Sequence, residues 1–244
     1  MGIWPFKKRV ATLLKGGIMN GFTDWHSHIL PGVDDGVPDM ETSLATLRTY
    51  EEMGVKRVWL TPHIMEDYPN TPEGLRERFA ALQQAWDGKV ELRLAAEHML
   101  DSLFRDRLDS RQLMPIGEDG THLLVETSYF TPPMDFDDMI DGIQSAGYYP
   151  ILAHPERYRY MNEADYKDLR RRGVLFQINM MSTVGMYGET ARGKAEWLLS
   201  NGMAELTGTD LHRLSATQRH LDTAPRHRET LYRILSVAAG PKVD

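Results

Sequence analysis

Two histidines separated by one residue, His26 and His28, are the first pair in the chain whose spacing suggests chemistry. Side chains at positions i and i+2 of an extended segment share a face, so both imidazoles are expected to point the same way. Imidazole nitrogens bind zinc, iron, copper and nickel, and added carboxylate oxygens widen that range to manganese. Asp34 and Asp35 follow within a glycine-bounded turn. A pair this short predicts a metal site only if further ligands recur downstream.

Metal-ligand residue types do recur, at the ends of most of the short apolar runs that follow. A single histidine or acid at such a place is more often a structural residue or a helix N-terminal acid. Its recurrence after six of seven predicted strands favours one shared site, because α/β active sites lie at the carboxyl ends of strands. The sixth predicted strand is the exception and offers only amides. The downstream candidates are His63, Glu97, Glu126, His154, Asp210 and His212.

The elements that must position these residues alternate from residue 22 onward between short apolar runs and longer amphipathic runs. This alternation is typical of βα units around a parallel sheet. Four glycines that follow amphipathic runs, Gly54, Gly147, Gly173 and Gly202, are expected to end helices. The predicted strands are residues 22–26, 57–61, 91–96, 122–127, 149–153, 175–179 and 203–207. The predicted helices are residues 41–53, 72–86, 136–146, 163–172, 191–200 and 226–238.

The predicted organisation is an N-terminal extension, residues 1–21, followed by a single domain, residues 22–244. Trp4 and Phe6 stand beside three basic residues and fit contact with an anionic surface or a partner, but a partly ordered tail is favoured. A run of βα units with one core closes into a barrel or winds into an open sheet. The glycine-rich dinucleotide fingerprint is missing.

Composition excludes several classes of function. The chain has no cysteine, which removes disulfides, zinc-thiolate sites and thiolate nucleophiles. A net charge of -7 disfavours general affinity for nucleic acid. The sequence contains no apolar run of the length that crosses a bilayer, and no signal peptide, so we expect no membrane span and a cytoplasmic protein.

With these residues in place, the chain resembles the PHP (polymerase and histidinol phosphatase) superfamily. More narrowly, it is similar to the bacterial manganese-dependent tyrosine phosphatases of the capsule and exopolysaccharide system, the CpsB/YwqE type. The resemblance implies a distorted seven-stranded (β/α) barrel, TIM-like, of the PHP fold, holding three divalent ions. Manganese is the expected metal, with Fe, Zn, Co or Mg as alternatives. The matching segments are DWHSHILPGVDDG, TPHIMEDYPNTPE, AAEHMLD, LVETSYFTPP, AGYYPILAHPERYRY, QINMMS and GTDLH.

The resemblance also implies a ligand for each metal, position by position. The first metal would take His26, His28, Glu97 and Asp210. The second would take Glu97, Glu126 and His154, with Glu97 bridging. The third would take Asp35, His63 and His212. No metal role is assigned to the remaining histidines, which are His98, His122, His220 and His227. At position 98 relatives often carry an aromatic residue, and a packing role is favoured for His98.

The implied reaction is in-line attack of metal-bound hydroxide on phosphorus. Asp210, His154 and Arg157 are the predicted catalytic residues, and Arg157 would stabilise the equatorial phosphoryl oxygens. The alternative for Arg157 is an ion pair with Glu156 or another surface acid. Relatives tend to place a further arginine a few residues after the final histidine, so Arg213 and Arg219 join Arg157 as predicted substrate contacts. Tyr129, an aromatic residue near a predicted strand end, is a predicted contact of the aryl ring.

The predicted substrate is a phosphotyrosine protein, namely the cytoplasmic tyrosine kinase domain that regulates capsule or exopolysaccharide synthesis. Assembly of the chain into a homo-oligomer is left as an alternative to a monomer. The alternatives that keep the cluster are a small-molecule phosphomonoesterase acting on a compound such as histidinol phosphate, and a phosphodiesterase. An amidohydrolase-like enzyme is disfavoured because no strand-borne lysine could bridge metals. A catalytically idle scaffold is disfavoured by the complete ligand set.

Overall fold

The computed structural model describes residues 9–239 of the chain, and the segments 1–8 and 240–244 lie outside the described residues. Its nine strands are β1 (Thr23–Ser27), β2 (Arg57–Leu60), β3 (His63–Ile64), β4 (Glu91–Leu94), β5 (Glu97–Met99), β6 (His122–Glu126), β7 (Tyr149–Ala153), β8 (Leu175–Asn179) and β9 (Leu206–Gly208). Its eight α-helices are α1 (Met40–Met53), α2 (Pro72–Ala85), α3 (Phe104–Asp109), α4 (Phe136–Ser145), α5 (Glu163–Arg171), α6 (Gly188–Ser200), α7 (Leu214–Leu221) and α8 (Arg228–Ala239). Two 3₁₀ helices, Pro155–Arg157 and Met180–Val184, follow β7 and β8.

All strand pairs are parallel, which confirms the predicted α/β class with a parallel sheet. One sheet has the order β1-β2-β4 and the other the order β3-β5-β6-β7-β8-β9. Two predicted strands, residues 57–61 and 91–96, end slightly early, and each is followed after a two-residue break by a short strand that was not predicted, β3 or β5. Pro62, which has no N–H to donate to a ladder, lies in the first break. Hydrogen bonds from Ala95 N to Leu60 O (3.0 Å) and from Glu97 N to Pro62 O (3.1 Å) continue the pairing across both breaks.

The first strand is also bonded to the segment that follows the last one. Asp210 N donates to His26 O (2.8 Å), and His28 N donates to Leu211 O (3.0 Å). The residues at both ends of the predicted ligand set therefore share one ladder. This pairing is the reason that residues almost two hundred positions apart reach the same site.

A small apolar cluster lies beneath the predicted ligands. Trp25 and Trp59 stack in it with ring centroids 5.8 Å apart, beside Leu124 and Ala95. Because side chains alternate along a strand, Leu124 and Glu126 of β6 share a face. The carboxylate of Glu126 thus lies on the same face of its strand as a residue of this apolar cluster. A larger core of buried residues packs the helices against the sheet.

Most helix boundaries agree with prediction. The four glycines expected to end helices all adopt positive φ, and at Gly54 (φ 90°) the backbone N–H closes α1 by donating to Tyr50 and Glu51 carbonyls. Helices α3 and α7 were not predicted, because each is only about two turns long. Across the described part of the chain, no helix combines the length and apolarity that a bilayer crossing needs.

Part of the predicted N-terminal extension is packed on the domain. Leu13, Ile18 and Met19 are buried in the larger core, and Leu14 N donates to Leu221 O (2.8 Å). Trp4 and Phe6, for which a surface contact was considered, lie outside the described residues. The division of the chain at residue 21 stays a prediction.

Candidate metal centre

All nine predicted ligands lie together at the carboxyl ends of the strands. They form overlapping groups in which one nitrogen or oxygen from each residue lies within 4.8 Å of the others. The arrangement fits more than one cation, since several residues belong to two groups. The groups are His28-Asp35-His63-His212, His26-His28-Asp210, His26-Glu97-His154 and His63-Glu97-Glu126.

Glu97 is the carboxylate on which these groups converge. Its Oε2 lies 3.1 Å from His26 Nε2, 3.4 Å from His28 Nε2 and 3.1 Å from His63 Nδ1, and its Oε1 lies 2.9 Å from His154 Nε2. Burial opposes its charge, but His26, His63 and the bond from His154 hold the pKa of Glu97 well below its usual range. A carboxylate with this many facing nitrogens suits a bridging position.

The two histidines of the first strand direct one nitrogen each toward a common point. His26 Nδ1 bonds Gln177 Oε1 (2.8 Å) and His28 Nδ1 bonds Asp34 Oδ2 (2.8 Å), so both Nδ1 atoms carry the hydrogen. The lone pairs then sit on the Nε2 atoms, which are only 3.1 Å apart. Two lone pairs facing each other require a cation, either a metal or a proton.

Buried polar atoms without hydrogen-bond partners give the direct test of whether these residues fit a metal. Among the described residues, His63 Nδ1, Glu97 Oε2 and Glu126 Oε1 are buried and have no such partner, although His63 Nδ1 lies 3.0 Å from Glu126 Oε1. Unpaired buried groups of this kind are costly. Burial and His28 oppose protonation of His63, but Glu97 and Glu126 raise its pKa to about 10. A divalent ion among these atoms would satisfy them all.

The group around Asp35 lies at the solvent side of the centre. The side chain of Asp35 is 51% exposed, whereas His28, Glu97 and Asp210 are almost completely buried. Its Oδ1 lies 3.3 Å from His212 Nε2 and 3.5 Å from His63 Nε2. The bond from His212 lowers the pKa of Asp35 to about 2. This part of the centre is open to incoming substrate.

The two carboxylate oxygens of Asp210 have different contacts: one faces the histidines of the centre, and the other accepts hydrogen bonds from neighbouring side chains. Oδ1 lies 3.3 Å from His28 Nε2 and 3.4 Å from His212 Nδ1. Oδ2 accepts from Arg157 Nη1 (2.7 Å) and Asn179 Nδ2 (2.8 Å). Burial opposes ionisation, but His26, His28, His212 and Arg157 hold the pKa of Asp210 well below its usual range.

Backbone geometry at the centre is specialised. His154 (φ 34°) and Asp210 (φ 52°) adopt left-handed conformations that non-glycine residues rarely take, and such strain clusters at functional sites. Gly208 is needed for a different reason: a Cβ there would lie 2.5 Å from His26 Cβ. At Gly36 a Cβ would lie 2.4 Å from His28 Cβ. Both histidines of the first strand are therefore packed directly on a glycine.

Arg157 is held between two aromatic rings. Its guanidinium carbon lies 4.3 Å from the Tyr129 ring centre and 4.2 Å from that of Tyr187. Its ion pair is with Asp210 and not with Glu156, whose Oε1 instead accepts from Ser182 Oγ (2.7 Å) and Asn179 N (3.0 Å). Arg157 is thus fixed beside the candidate ligands with one edge already bonded.

A cavity of about 360 Å³ opens above the centre. Three of the four predicted substrate contacts, Arg157, Arg213 and Tyr129, line it. Arg219 does not; it lies exposed on α7. The remaining lining residues are Asp35, His63, Glu97, His154, Met186, Tyr187, Asp210, His212, Ala216 and Thr217.

Comparisons with known proteins show the family of this chain. The family model described as capsular polysaccharide synthesis, CpsB/CapC, matches residues 22–233. The chain belongs to the CpsB/CapC family. The match covers every predicted metal ligand, from His26 to His212.

Two bacterial tyrosine-protein phosphatases are similar in sequence to this CpsB/CapC chain. It is 27% identical to the tyrosine-protein phosphatase YwqE of Bacillus subtilis over 207 residues, covering 82% of this chain and 81% of that protein. It is 28% identical to the tyrosine-protein phosphatase CpsB of Streptococcus pneumoniae over 232 residues, covering 90% and 91% of the two chains. The similarity therefore spans nearly the whole of each protein.

Two solved structures are similar in fold to this chain. A structure from the work on YwqE of Bacillus subtilis and CpsB of Streptococcus pneumoniae, described there as unique metal-dependent tyrosine phosphatases, superposes with a TM-score of 0.75. It is 26% identical and covers 86% of this chain and 85% of that one. The lactonase Lmo2620 of Listeria monocytogenes shares the fold at a TM-score of 0.51 and 13% identity over 91% of this chain and 87% of that one.

Sequence reasoning missed several residues that support the CpsB/CapC centre. Gln177 and Asn179, the amides of the sixth predicted strand, hold His26 and Asp210, and their i, i+2 spacing was the available signal. Asp34, noted in the sequence but given no role, holds His28. Tyr187 lies in a segment between elements and carried no signal. His98 packs as expected: it accepts from Met114 N (3.2 Å), and burial lowers its pKa to about 3.

Proposed function

We propose that this protein is a metal-dependent phosphatase that hydrolyses phosphotyrosine on proteins of the capsule and exopolysaccharide system. The observation that carries the proposal is the convergence of nine ligand-type side chains below a cavity that also presents Arg157. Its relatives are named tyrosine-protein phosphatases. This reading is favoured over a small-molecule phosphomonoesterase or a phosphodiesterase.

The architecture that we propose is the distorted (β/α)7 TIM-like barrel of the PHP fold. Two observations support it: the pairing of β2 with β4 continues as that of β3 with β5, and β1 is bonded to the segment after β9. In such a barrel the nine ligand-type side chains lie at the end formed by the carboxyl ends of the strands, where active sites of α/β barrels lie.

We propose three divalent ions, with manganese as the expected occupant. The ligands would be divided as the family resemblance implies, with Glu97 between two of the ions. Oxygen and imidazole ligands without sulfur suit manganese, and metal supply also decides the occupant. Six positive charges from three divalent ions exceed the four carboxylates of Asp35, Glu97, Glu126 and Asp210, so the centre attracts a phosphate dianion although the chain is acidic.

Divalent ions bound here supply Lewis-acid chemistry, which lowers the pKa of water toward about 7 and offsets the charge on the phosphoryl oxygens. The protein itself provides position and charge. Arg157 is fixed by Asp210, Tyr129 and Tyr187 so that its free N–H groups face the cavity and bind equatorial phosphoryl oxygens. Arg213 lines the same cavity and adds a second positive charge.

Phosphotyrosine suits this site because its leaving oxygen has a pKa of about 10, which makes protonation of the leaving group less demanding than in an alkyl ester. Tyr129 lines the cavity and is proposed to contact the aryl ring. Tyr158, by contrast, is buried and packs on His154, so we assign it a structural role. The proposed partner is a cytoplasmic tyrosine kinase domain of the same system.

The experiment is a comparison of three substrates on one preparation: a phosphotyrosyl peptide, histidinol phosphate and a phosphodiester. We expect the peptide to be turned over with the highest kcat/KM, and the activity to be lost with chelator and restored with Mn²⁺. His154→Ala should be folded by circular dichroism and inactive. A higher kcat/KM on either of the other substrates would contradict the proposal.

A further inference from the structure

A second cavity of about 430 Å³ adjoins the cavity above the metal centre. Arg157 and Tyr187 line both, so this pair forms the wall between them. The other residues of the second cavity come from the segment after β7 and from the first turns of α6. They are Glu156, Arg159, Gly188, Glu189, Thr190, Ala191 and Lys194.

The two acids of this second cavity bond to groups other than its cations, and Glu156 Oε2 has no hydrogen-bond partner among the described residues. Glu189 pairs with Arg192 and with Arg226. Glu156 is buried and its Oε1 accepts hydrogen bonds from Ser182 and Asn179. Neither acid forms an ion pair with Arg159 or Lys194, although Glu156 is close enough to favour the charge of Lys194.

Two cations of the cavity have no acidic partner within residues 9–239. Arg159 stacks on the Phe130 ring, with its guanidinium carbon 4.8 Å from the ring centre. Lys194 donates one hydrogen to the Tyr158 carbonyl and keeps two N–H groups. In a chain with a net charge of -7, two unpaired cations beside the candidate active site indicate complementarity to a negative ligand.

Arg159 lines the second cavity and is bonded to a residue of the first. Its backbone N donates to Tyr129 O (2.8 Å), and Tyr129 lines the metal-centre cavity. Phe130, the residue after Tyr129, is 63% exposed and stacks with the Arg159 guanidinium. Arg159 and Phe130 are therefore near neighbours of the metal-centre cavity.

We propose that the second cavity binds an acidic side chain that neighbours the phosphotyrosine in the protein substrate. This inference rests on the proposed function. Successive residues of an extended peptide are spaced by about 3.3–3.6 Å, so a phosphotyrosine seated over the metal centre brings its neighbours to the wall of Arg157 and Tyr187. Arg159 and Lys194 then pair with the carboxylate, and Phe130 packs against the peptide backbone.

The test compares two phosphotyrosyl peptides that differ only by Glu or Gln at the positions flanking the phosphotyrosine, with free phosphotyrosine as a third substrate. We expect the unmodified enzyme to prefer the Glu peptide about three- to fivefold in kcat/KM, as an exposed charge pair of up to about 1 kcal/mol can provide. Arg159→Gln should reduce the preference to about twofold, and Arg159→Glu should reverse it. Arg171→Gln, which removes an exposed arginine of α5 paired with Asp168, is the matched control and should keep the full preference.

Equal kcat/KM on the two peptides, with free phosphotyrosine still hydrolysed, would overturn this inference alone. So would a preference that survives in Arg159→Glu. No hydrolysis of any phosphotyrosine substrate by the metal-loaded enzyme would instead remove the proposed function, and this inference with it. Because Arg159 is exposed, its variants should fold, and circular dichroism checks this.

Discussion

The Nη1 atom of Arg157 lies 2.7 Å from Oδ2 of Asp210, while Oδ1 of the same carboxylate lies 3.3 Å from His28 Nε2. One side chain therefore connects the candidate metal centre to the candidate phosphate contact. Any change at Arg157 is expected to act on both, and the two effects can be separated by measuring metal content beside kinetics.

Arg157→Ala should reduce kcat/KM on a phosphotyrosyl peptide about 100-fold or more, because a preorganised charged donor to the phosphoryl oxygens is lost. Metal content should change far less, because Asn179 still bonds Asp210 Oδ2. Steady-state kinetics and elemental analysis on the same preparation give both quantities. Wild-type kinetics in this variant would remove the role assigned to Arg157.

Tyr187→Leu should lower kcat/KM by about 3- to 30-fold, because one face of the Arg157 sandwich, a contact of about 0.5–2 kcal/mol, is lost. Tyr187→Phe keeps the ring and should retain most of the activity. Tyr232→Leu, which removes an exposed tyrosine of α8 that also contacts an arginine, is the control. If the Phe and Leu variants of Tyr187 had equal activity, the stacking explanation would be wrong.

Gly208→Ala should reduce both stability and bound metal, because the new Cβ would lie 2.5 Å from His26 Cβ and 2.8 Å from its backbone nitrogen. Overpacking of this kind costs about 1–3 kcal/mol. Gly193→Ala is the matched control: nothing lies within 4 Å of its Cβ, and alanine in a helix should stabilise by about 0.5–1 kcal/mol. Unfolding in urea and metal content measure the effects. Normal metal content in Gly208→Ala would contradict the packing argument.

His98→Gln should make the protein less sensitive to acid. Burial and the charge of Arg107 lower the pKa of His98 to about 3, against 6.5 for the free side chain. Between these values the unfolded chain binds a proton that the folded protein does not, so stability falls as pH falls, by up to about 1.4 kcal/mol per pH unit. The glutamine side chain of this variant would keep an acceptor for Met114 N without titrating.

The measurement for His98 is the free energy of unfolding in urea at pH 7.5, 6 and 5. The two proteins carry the same metal ligands, so loss of metal at low pH affects both equally. A smaller decrease in the variant is expected. Parallel curves for the two proteins would show that His98 is not buried in its neutral form.

The sequence located the ligands because their types recur at strand ends, and parallel strands bring such ends to one edge. Supporting residues were harder to predict, since the i, i+2 spacing of Gln177 and Asn179 does not by itself indicate a metal centre, and an aromatic residue such as Tyr187 has no characteristic spacing. The short strands β3 and β5 were missed because each has only two or three residues and follows a longer predicted strand after a two-residue break. The position of Arg219 depended on the short helix α7, whose pattern is too brief to predict.

The central claim is that the nine convergent side chains bind several divalent ions that act on phosphate. Anomalous diffraction from a crystal grown with Mn²⁺ and soaked in phosphate tests it most directly. We predict three manganese peaks among the four ligand groups, with phosphate against Arg157. Two results would contradict the claim. One is that the manganese peaks lie only away from these nine side chains; the other is that the imidazoles and carboxylates bond only to one another under these conditions.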